Sequence, residues 1–331
     1  MRNILTQGSR DIGLHSLGTD ISKATTVAEA LTIARADYKV GRCSLYSRTA
    51  VPGTNMPPAI DNTCLYKIPD ANGVFRLKDD KPASFISTVG PSWTPIQNSE
   101  AFEAAGILAG HGATFDRAYV SENSAQVYLR MKLEGMDRKK LQVLGDECGA
   151  YVIMTNRHDG SGAFRMVLQI LRLTCTNGMT RLIPSKAVYR RHTSGIVNTV
   201  EDIRRMVAAS ERTAEQMMED IAKTANQLVN IHFTERRFRG MVDELLPHPA
   251  GAVSKAVEEQ RSRLYTYLNK EDLANFRDSG WAAVMAVSDF SSHLGDRSRG
   301  LHSDQAVALS VERAVKDDLL TQALAYVLAA N

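Results

Sequence analysis

Residues 146–179 read DECGAYVIMTNRHDGSGAFRMVLQILRLTCTNGM, and the fold class turns on whether this stretch is one long antiparallel hairpin. Tyr151, Ile153 and Thr155 alternate with Val152 and Met154, the period-two pattern of a strand. The run from Asn156 to Gly162 supplies turn residues, and alternation resumes at Phe164, so two strands are expected. On the second, Phe164, Met166, Leu168 and Ile170 share one face, while Arg165, Val167, Gln169 and Leu171 share the other. One face is expected to be buried and the other mixed. A half-solvated basic sheet of this kind can meet a nucleic acid, although for any single arginine ordinary solvation is the plainer reading.

Working outward, Thr114 to Val120 and Gln126 to Leu133 read as strands around a turn at Glu122, Asn123 and Ser124, which extends the hairpin into an antiparallel sheet. Upstream, SWTPIQNSEAFEAAGILAG predicts a helix capped by Asn98 or Ser99 and ended by Gly110 and Gly112. Phe85 to Val89 reads as a strand, and Asn72 with Gly73 as a hairpin dipeptide before Val74. Val51 to Pro69, with four prolines, has loop composition. A short helix is expected over Thr25 to Ala36, with Asp20 or Ser22 near its start, and a strand after it.

From Thr199 the periodicity becomes helical for about 34 residues without Gly or Pro. Further helices are expected at Glu235 to Leu246, Ser254 to Leu268, Trp281 to Leu294 and Asp304 to Ala330. The expected fold is therefore α+β: an antiparallel sheet with a long basic hairpin over residues 1–197, and a helical C-terminal region over 198–331. Such helices pack on their own domain or on neighbouring subunits, so a homo-oligomer is a possible partner arrangement.

With 331 residues, 44% of them apolar, the chain can bury a full core. The formal charge of +3 is too small to argue for nucleic acid by itself, but its distribution is uneven. Arg130 to His192 carries 12 Lys and Arg against 5 Asp and Glu, or +7, whereas Glu201 to Asn331 carries 16 against 20, or −4. The middle attracts phosphates and the C-terminal part does not. Cys43, Cys64, Cys148 and Cys175 form no CxxC pair, which fits buried thiols in a reducing compartment. The first residues lack the apolar core of a signal peptide, and no window approaches 18 uncharged apolar residues. A cytoplasmic protein without membrane contact is expected.

Sites for chemistry are sparse. His158 and Asp159 are adjacent, but metal phosphohydrolysis needs further ligands at helical spacing. Asp146 and Glu147 form a carboxylate pair that more simply begins a strand. GxxxxGK[ST], strand-following GxGxxG and GxSxG motifs are absent. No cofactor, metal ligand set or catalytic residue is indicated. Arg190, Arg191 and His192 make a compact basic cluster able to grip a phosphate. Tyr119, Tyr128, Tyr151, Phe164 and Tyr189 interleave the basic region, although most such rings belong in a core.

Four segments together resemble a known family: WTPIQNSEAF (Trp93 to Phe102), HDGSGAFRMVLQILRLTCTNGM (His158 to Met179), RHTSGIVNTVEDI (Arg191 to Ile203) and GWAAVMAVSDFSSH (Gly280 to His293). The chain is similar in these to the phage- and plasmid-like proteins grouped as a domain of unknown function, number nine-three-two. Trp93 stands where that family often has tyrosine, and Cys175, Thr176, Asn177 and Gly178 vary its Cys-to-Gly block. The resemblance implies a protein of mobile elements or their hosts and brings no established activity. By fold-level analogy alone, the strand, helix, strands order is similar to phage single-strand annealing recombinases.

These readings point first to a non-enzymatic single-stranded DNA-binding or strand-annealing protein. Arg157, Arg165, Arg172, Arg181, Lys186, Arg190, Arg191 and His192 are its expected phosphate contacts. From another class comes a metal-dependent enzyme or anti-defence factor acting on nucleic acid through His158, Asp159, Cys175 and Asn177. An oligomeric scaffold built on the long helices is the third.

Overall fold

The computed structural model describes residues 18–47, 66–121, 123–133, 142–144, 146–162, 164–172, 187–190, 216, 219–292 and 318–330. In chain order these form β1 (Thr19–Asp20), α1 (Val27–Ile33), β2 (Lys39–Ser47), β3 (Tyr66–Lys78) and β4 (Lys81–Val89). Next come α2 (Asn98–Ala101), α3 (Glu103–Gly110), β5 (Ala113–Val120), β6 (Gln126–Leu133), β7 (Gln142–Val143), β8 (Asp146–Arg157), β9 (Phe164–Arg172) and β10 (Ala187–Arg190). The C-terminal part is helical: α4 (219–229), α5 (Glu235–Leu245), α6 (Lys255–Leu268), a 3-10 turn (Glu271–Phe276), α7 (Gly280–Ser292) and α8 (Asp318–Ala329). The fold is α+β, as its sequence periods imply.

Two antiparallel sheets result. The larger runs β1-β5-β6-β8-β9-β10, with β7 added beside β8; the smaller is β2-β3-β4. Thr155 lies opposite Arg165, and Cys148 opposite Arg172, so the hairpin of β8 and β9 closes with the expected phase. Its strands are longer than their alternation alone suggests, since Asn156 and Arg157 still pair, with Val127 and Gln126. One sheet face carries Val127, Leu129, Met131, Ala150, Val152, Met154, Phe164 and Met166, which join Leu31, Phe102 and Leu108 of the helices in the core. Burying each such side chain contributes about 1.5–3 kcal/mol.

Three local expectations need correction. Asn72 and Gly73 do not turn the chain. They pair in mid-strand with Ser44 and Cys43 on β2 and with Val89 and Thr88 on β4. The turn falls instead at Asp79 and Asp80, whose φ values of +52° and +59° suit a two-residue hairpin loop. Helix α1 is capped by Thr26, whose hydroxyl accepts from the Glu29 N–H, rather than by Asp20 or Ser22. The N-cap of α2 is Gln97, not Asn98 or Ser99; the Glu100 carboxylate accepts the Gln97 N–H at 3.0 Å. The side chain of Gln97 is thereby left to bond the Val40 N–H and carbonyl of β2.

In the C-terminal part, α7 is buried from Trp281 to Phe290, which explains why its sequence is apolar on every side. Gly280 lets it start there: a Cβ at this position would lie 2.5 Å from Val327 of α8 and 3.0 Å from the Leu228 carbonyl. The expected long helix is described only at residue 216 and over 219–229; its earlier residues, and the first part of the helix expected from Asp304, lie outside the described residues. The same holds for the proline-rich residues 51–65. Among the described residues no helix is long and apolar enough to cross a membrane.

Candidate nucleic-acid interface

The second face of the larger sheet is set by the same register. Gln126, Tyr128, Arg130 and Lys132 alternate with the apolar residues of β6, and Tyr151, Ile153, Thr155 and Arg157 do so on β8. Arg130 lies opposite Arg117 of β5, and Arg165 of β9 lies opposite Thr155. Five cations from four neighbouring strands thus share one face: Arg117, Arg130, Lys132, Arg157 and Arg165. Arg172 and Arg190 fall opposite Cys148 and Phe164, one step out of phase with Arg165.

This face is polar in composition yet not open at its centre. Tyr128 and Arg130 are each 2% exposed, and Tyr119, Tyr151, Ile153, Thr155 and Val167 are buried as well. The half-solvated sheet expected from the alternation is therefore found only toward the margins, where Arg117, Lys132, Arg157 and Arg165 are half-buried. Arg130 is held by the Asp116 carboxylate, carried at a register shift between Phe115 and Arg117, and its guanidinium lies 4.9 Å from the Tyr151 ring centroid. Burial works against the Arg130 charge, but Tyr128 and Asp116 more than compensate, so it is held above its ordinary value.

Burial pushes the Tyr128 phenol up to about 12 against the pull of Arg130. It pushes Tyr38 to about 12 as well, against hydrogen bonds with Asn98 and Ser124 and the charge of Arg76. In the unfolded chain both phenols ionise near pH 10. Their contribution to stability is therefore whole below about pH 10 and is lost as pH rises through about 12. Alkaline titration is expected to show the tyrosinate absorbance of these two residues appearing only with unfolding. Free ionisation near pH 10 with the fold intact would contradict their burial.

At the hairpin turn, Asp159 accepts from the Ser161 N–H at 3.0 Å and its hydroxyl at 2.7 Å, and pairs with Arg157 at 3.0 Å. Burial opposes the Asp159 charge, yet the bonds from Arg157 and Ser161 outweigh it and hold the carboxyl below its ordinary value. Arg157 lies across Gly162, where a Cβ would meet its Cδ at 2.4 Å. A phosphate reaching Arg157 therefore shares it with Asp159.

His158 is fully buried on the opposite side of the sheet from these cations. Its N–H bonds the Ala125 carbonyl, its own carbonyl accepts from Ser87 of β4, and its Nε2 lies 3.0 Å from Asn98 Oδ1. Asn98 Nδ2 is committed to the Ala36 carbonyl, so Asn98 Oδ1 is an acceptor and the histidine hydrogen sits on Nε2. The same Oδ1 accepts from Asn156 Nδ2 at 3.0 Å. The Tyr38 ring stands edge-on to His158 at 6.1 Å, and its hydroxyl donates to the Ser124 carbonyl. This node joins the two sheets and brings together two of the segments that carry the family resemblance. Within it His158 Nε2, Asn98 and Asn156 Nδ2 are bonded to one another and to backbone carbonyls, Asn156 Oδ1 has no hydrogen-bond partner among the described residues, and Asp159 is spent on the turn. Among the described residues no three His, Cys, Asp or Glu side chains could hold a metal ion.

Of the expected phosphate contacts, Arg157 and Arg165 meet on one face. Arg172 and Arg190 are described in their backbone pairing alone, and Arg181, Lys186, Arg191 and His192 lie outside the described residues, as do Cys175 and Asn177. Arg117, Arg130 and Lys132 were not among the expected contacts. For Arg130 and Lys132 the signal was available in the strict alternation of QVYLRMKL, but pairing of β6 with β8 is what sets them beside the hairpin; Arg117 comes from β5, beyond a register shift against β6.

No curated protein and no solved structure matches the chain. The family described as a domain of unknown function (DUF932) matches residues 85–318, which include β5 to β10, the basic face and Asn98, Asn156 and His158 of the buried node. Covering more than two thirds of the sequence, that match makes the chain a member of this family.

Proposed function

We propose that the protein binds single-stranded DNA as a non-catalytic binding or strand-annealing accessory of a phage, plasmid or other mobile element, acting in the cytoplasm. The observation that carries this reading is the shared face of Arg117, Arg130, Lys132, Arg157 and Arg165. Arg130 is enclosed at its centre and paired with Asp116, and the half-buried cations at the margins meet phosphates. Arg181, Lys186, Arg191 and His192 add to the same positive stretch of sequence, while Arg172 and Arg190 fall on the opposite phase of the sheet from Arg165. Positive charge of this density raises the local concentration of a polyanion and sets a salt-dependent affinity.

Anisotropy titrations with a labelled oligonucleotide test it. The logarithm of affinity is expected to fall by about 0.7 per decade of salt for each phosphate contact on a single strand. Arg165→Ala is expected to reduce that slope by about one contact. Absence of binding at low salt, or an unchanged slope in variants of Arg117, Lys132 and Arg165 together, would sink the proposal.

A further inference from the structure

Arg157 ends β8 at the tip of the hairpin, on the cationic face, with Arg165 as its diagonal neighbour across the strand pair, about 7–8 Å away. Its guanidinium is already held by an anion of the protein's own. Asp159 divides its two oxygens between two tasks: Oδ1 accepts from the Ser161 N–H and hydroxyl and so shapes the turn, while Oδ2 accepts from Arg157 Nη2 at 3.0 Å. The turn needs only the first. Asparagine and serine close such turns through a single uncharged oxygen, so the second oxygen and the charge of Asp159 answer to the arginine. Gly162 leaves room for this: a Cβ there would lie 2.4 Å from Arg157 Cδ and 3.2 Å from its Nε. The Arg157 and Asp159 side chains are 20% and 22% exposed, so a phosphate arriving from solvent can reach the pair.

We propose that Asp159 is a built-in competitor for phosphate at Arg157, which withholds this cation from isolated anions and yields it to a strand already held by the neighbouring cations; the inference rests on the DNA-binding reading above. A carboxylate two residues away competes as an intramolecular ligand, at an effective concentration that a mononucleotide in solution does not match. A strand anchored at Arg165 and Lys132 presents its next phosphate intramolecularly as well, and the two anions then compete on equal terms. Arg157 is thereby engaged last. The pair gives up some affinity for the strand in exchange for discrimination against small phosphates, which is how a repulsive element serves specificity.

Asp159→Asn tests the proposal in the full chain, because the amide keeps an oxygen for Ser161 and turns N–H groups rather than an acceptor toward the guanidinium. An oligothymidylate is expected to bind this variant about tenfold more tightly at low salt, with a salt slope steeper by about 0.7, one phosphate contact. Thymidine monophosphate is expected to compete more strongly with the variant than with wild type. Asp159→Ser, which also supplies a turn oxygen, should act alike. In an Arg157→Gln background most of the gain is expected to disappear, since the competitor then has nothing to withhold. If neither the wild type nor Asp159→Asn binds the oligonucleotide at low salt, the DNA reading itself fails. If both bind with one affinity and slope, or if the gain persists undiminished with Arg157→Gln, the competitor role of Asp159 is overturned while the DNA reading stands.

Discussion

Replacing Asp116 with Ala is expected to lower the unfolding free energy by about 3–5 kcal/mol, with a matching fall in the denaturant midpoint. The reason is the partner left behind. Arg130 is 2% exposed and sits in mid-strand on β6, where no rotamer change carries its charge to water easily. Removing the carboxylate takes away the anion that balances this buried guanidinium and leaves the phenols of Tyr128 and Tyr151 beside it. The double variant Asp116→Ala with Arg130→Met removes the charge as well as its partner and is expected to recover much of the loss. A double variant no more stable than Asp116→Ala would show that Arg130 contributes by some other means than its pairing. Oligonucleotide affinity in the double variant then reads out directly whether the buried cation serves binding or only the sheet.

Asn98→Ala is expected to cost at least about 3 kcal/mol, since it deprives three buried groups of a partner at roughly 1 kcal/mol or more each. The Ala36 carbonyl loses its donor, and Asn156 and His158 lose the oxygen to which both donate. Because these groups lie between α1 and β2, on β8 and at the hairpin turn, the loss loosens the junction between the two sheets as well as the start of α2. A double-mutant cycle with His158→Phe is expected to show coupling above about 0.5 kcal/mol. Additive effects would mean that the node is not a unit. Urea unfolding by circular dichroism gives both numbers.

The two experiments probe the parts of the molecule where local pattern and tertiary placement diverge. Tyr128 and Arg130 alternate with Val127 and Leu129 as an exposed face should, and by pattern they belong in solvent. In the folded chain both are buried, as are Tyr119, Tyr151 and Ile153 on the same face. Asn72-Gly73 carries a strong short-range turn signal. It stays extended because the strands on either side pair through it, and Gly73 is wanted there for the space it leaves beneath Phe75 and Leu45. His158 next to Asp159 resembles a ligand pair in one dimension. The strand twist and the turn send the imidazole inward to Asn98 and keep the carboxylate on Arg157.

By itself the sequence determined the elements whose signal is periodic and local: the β8–β9 hairpin, the β5–β6 pair, the helices α5 to α7, the α+β class and the family. Periodicity is set by bonds between neighbours along the chain, so it is legible without knowing what lies across from it. Tertiary structure alone decided which polar side chains are enclosed, that Asn98 meets His158 across 60 residues of sequence, and that cations from β5, β6, β8 and β9 share one face. Those outcomes depend on register and burial between distant segments, and solvent exclusion there gives a hydrogen bond or a charge pair a value that its residue type does not reveal.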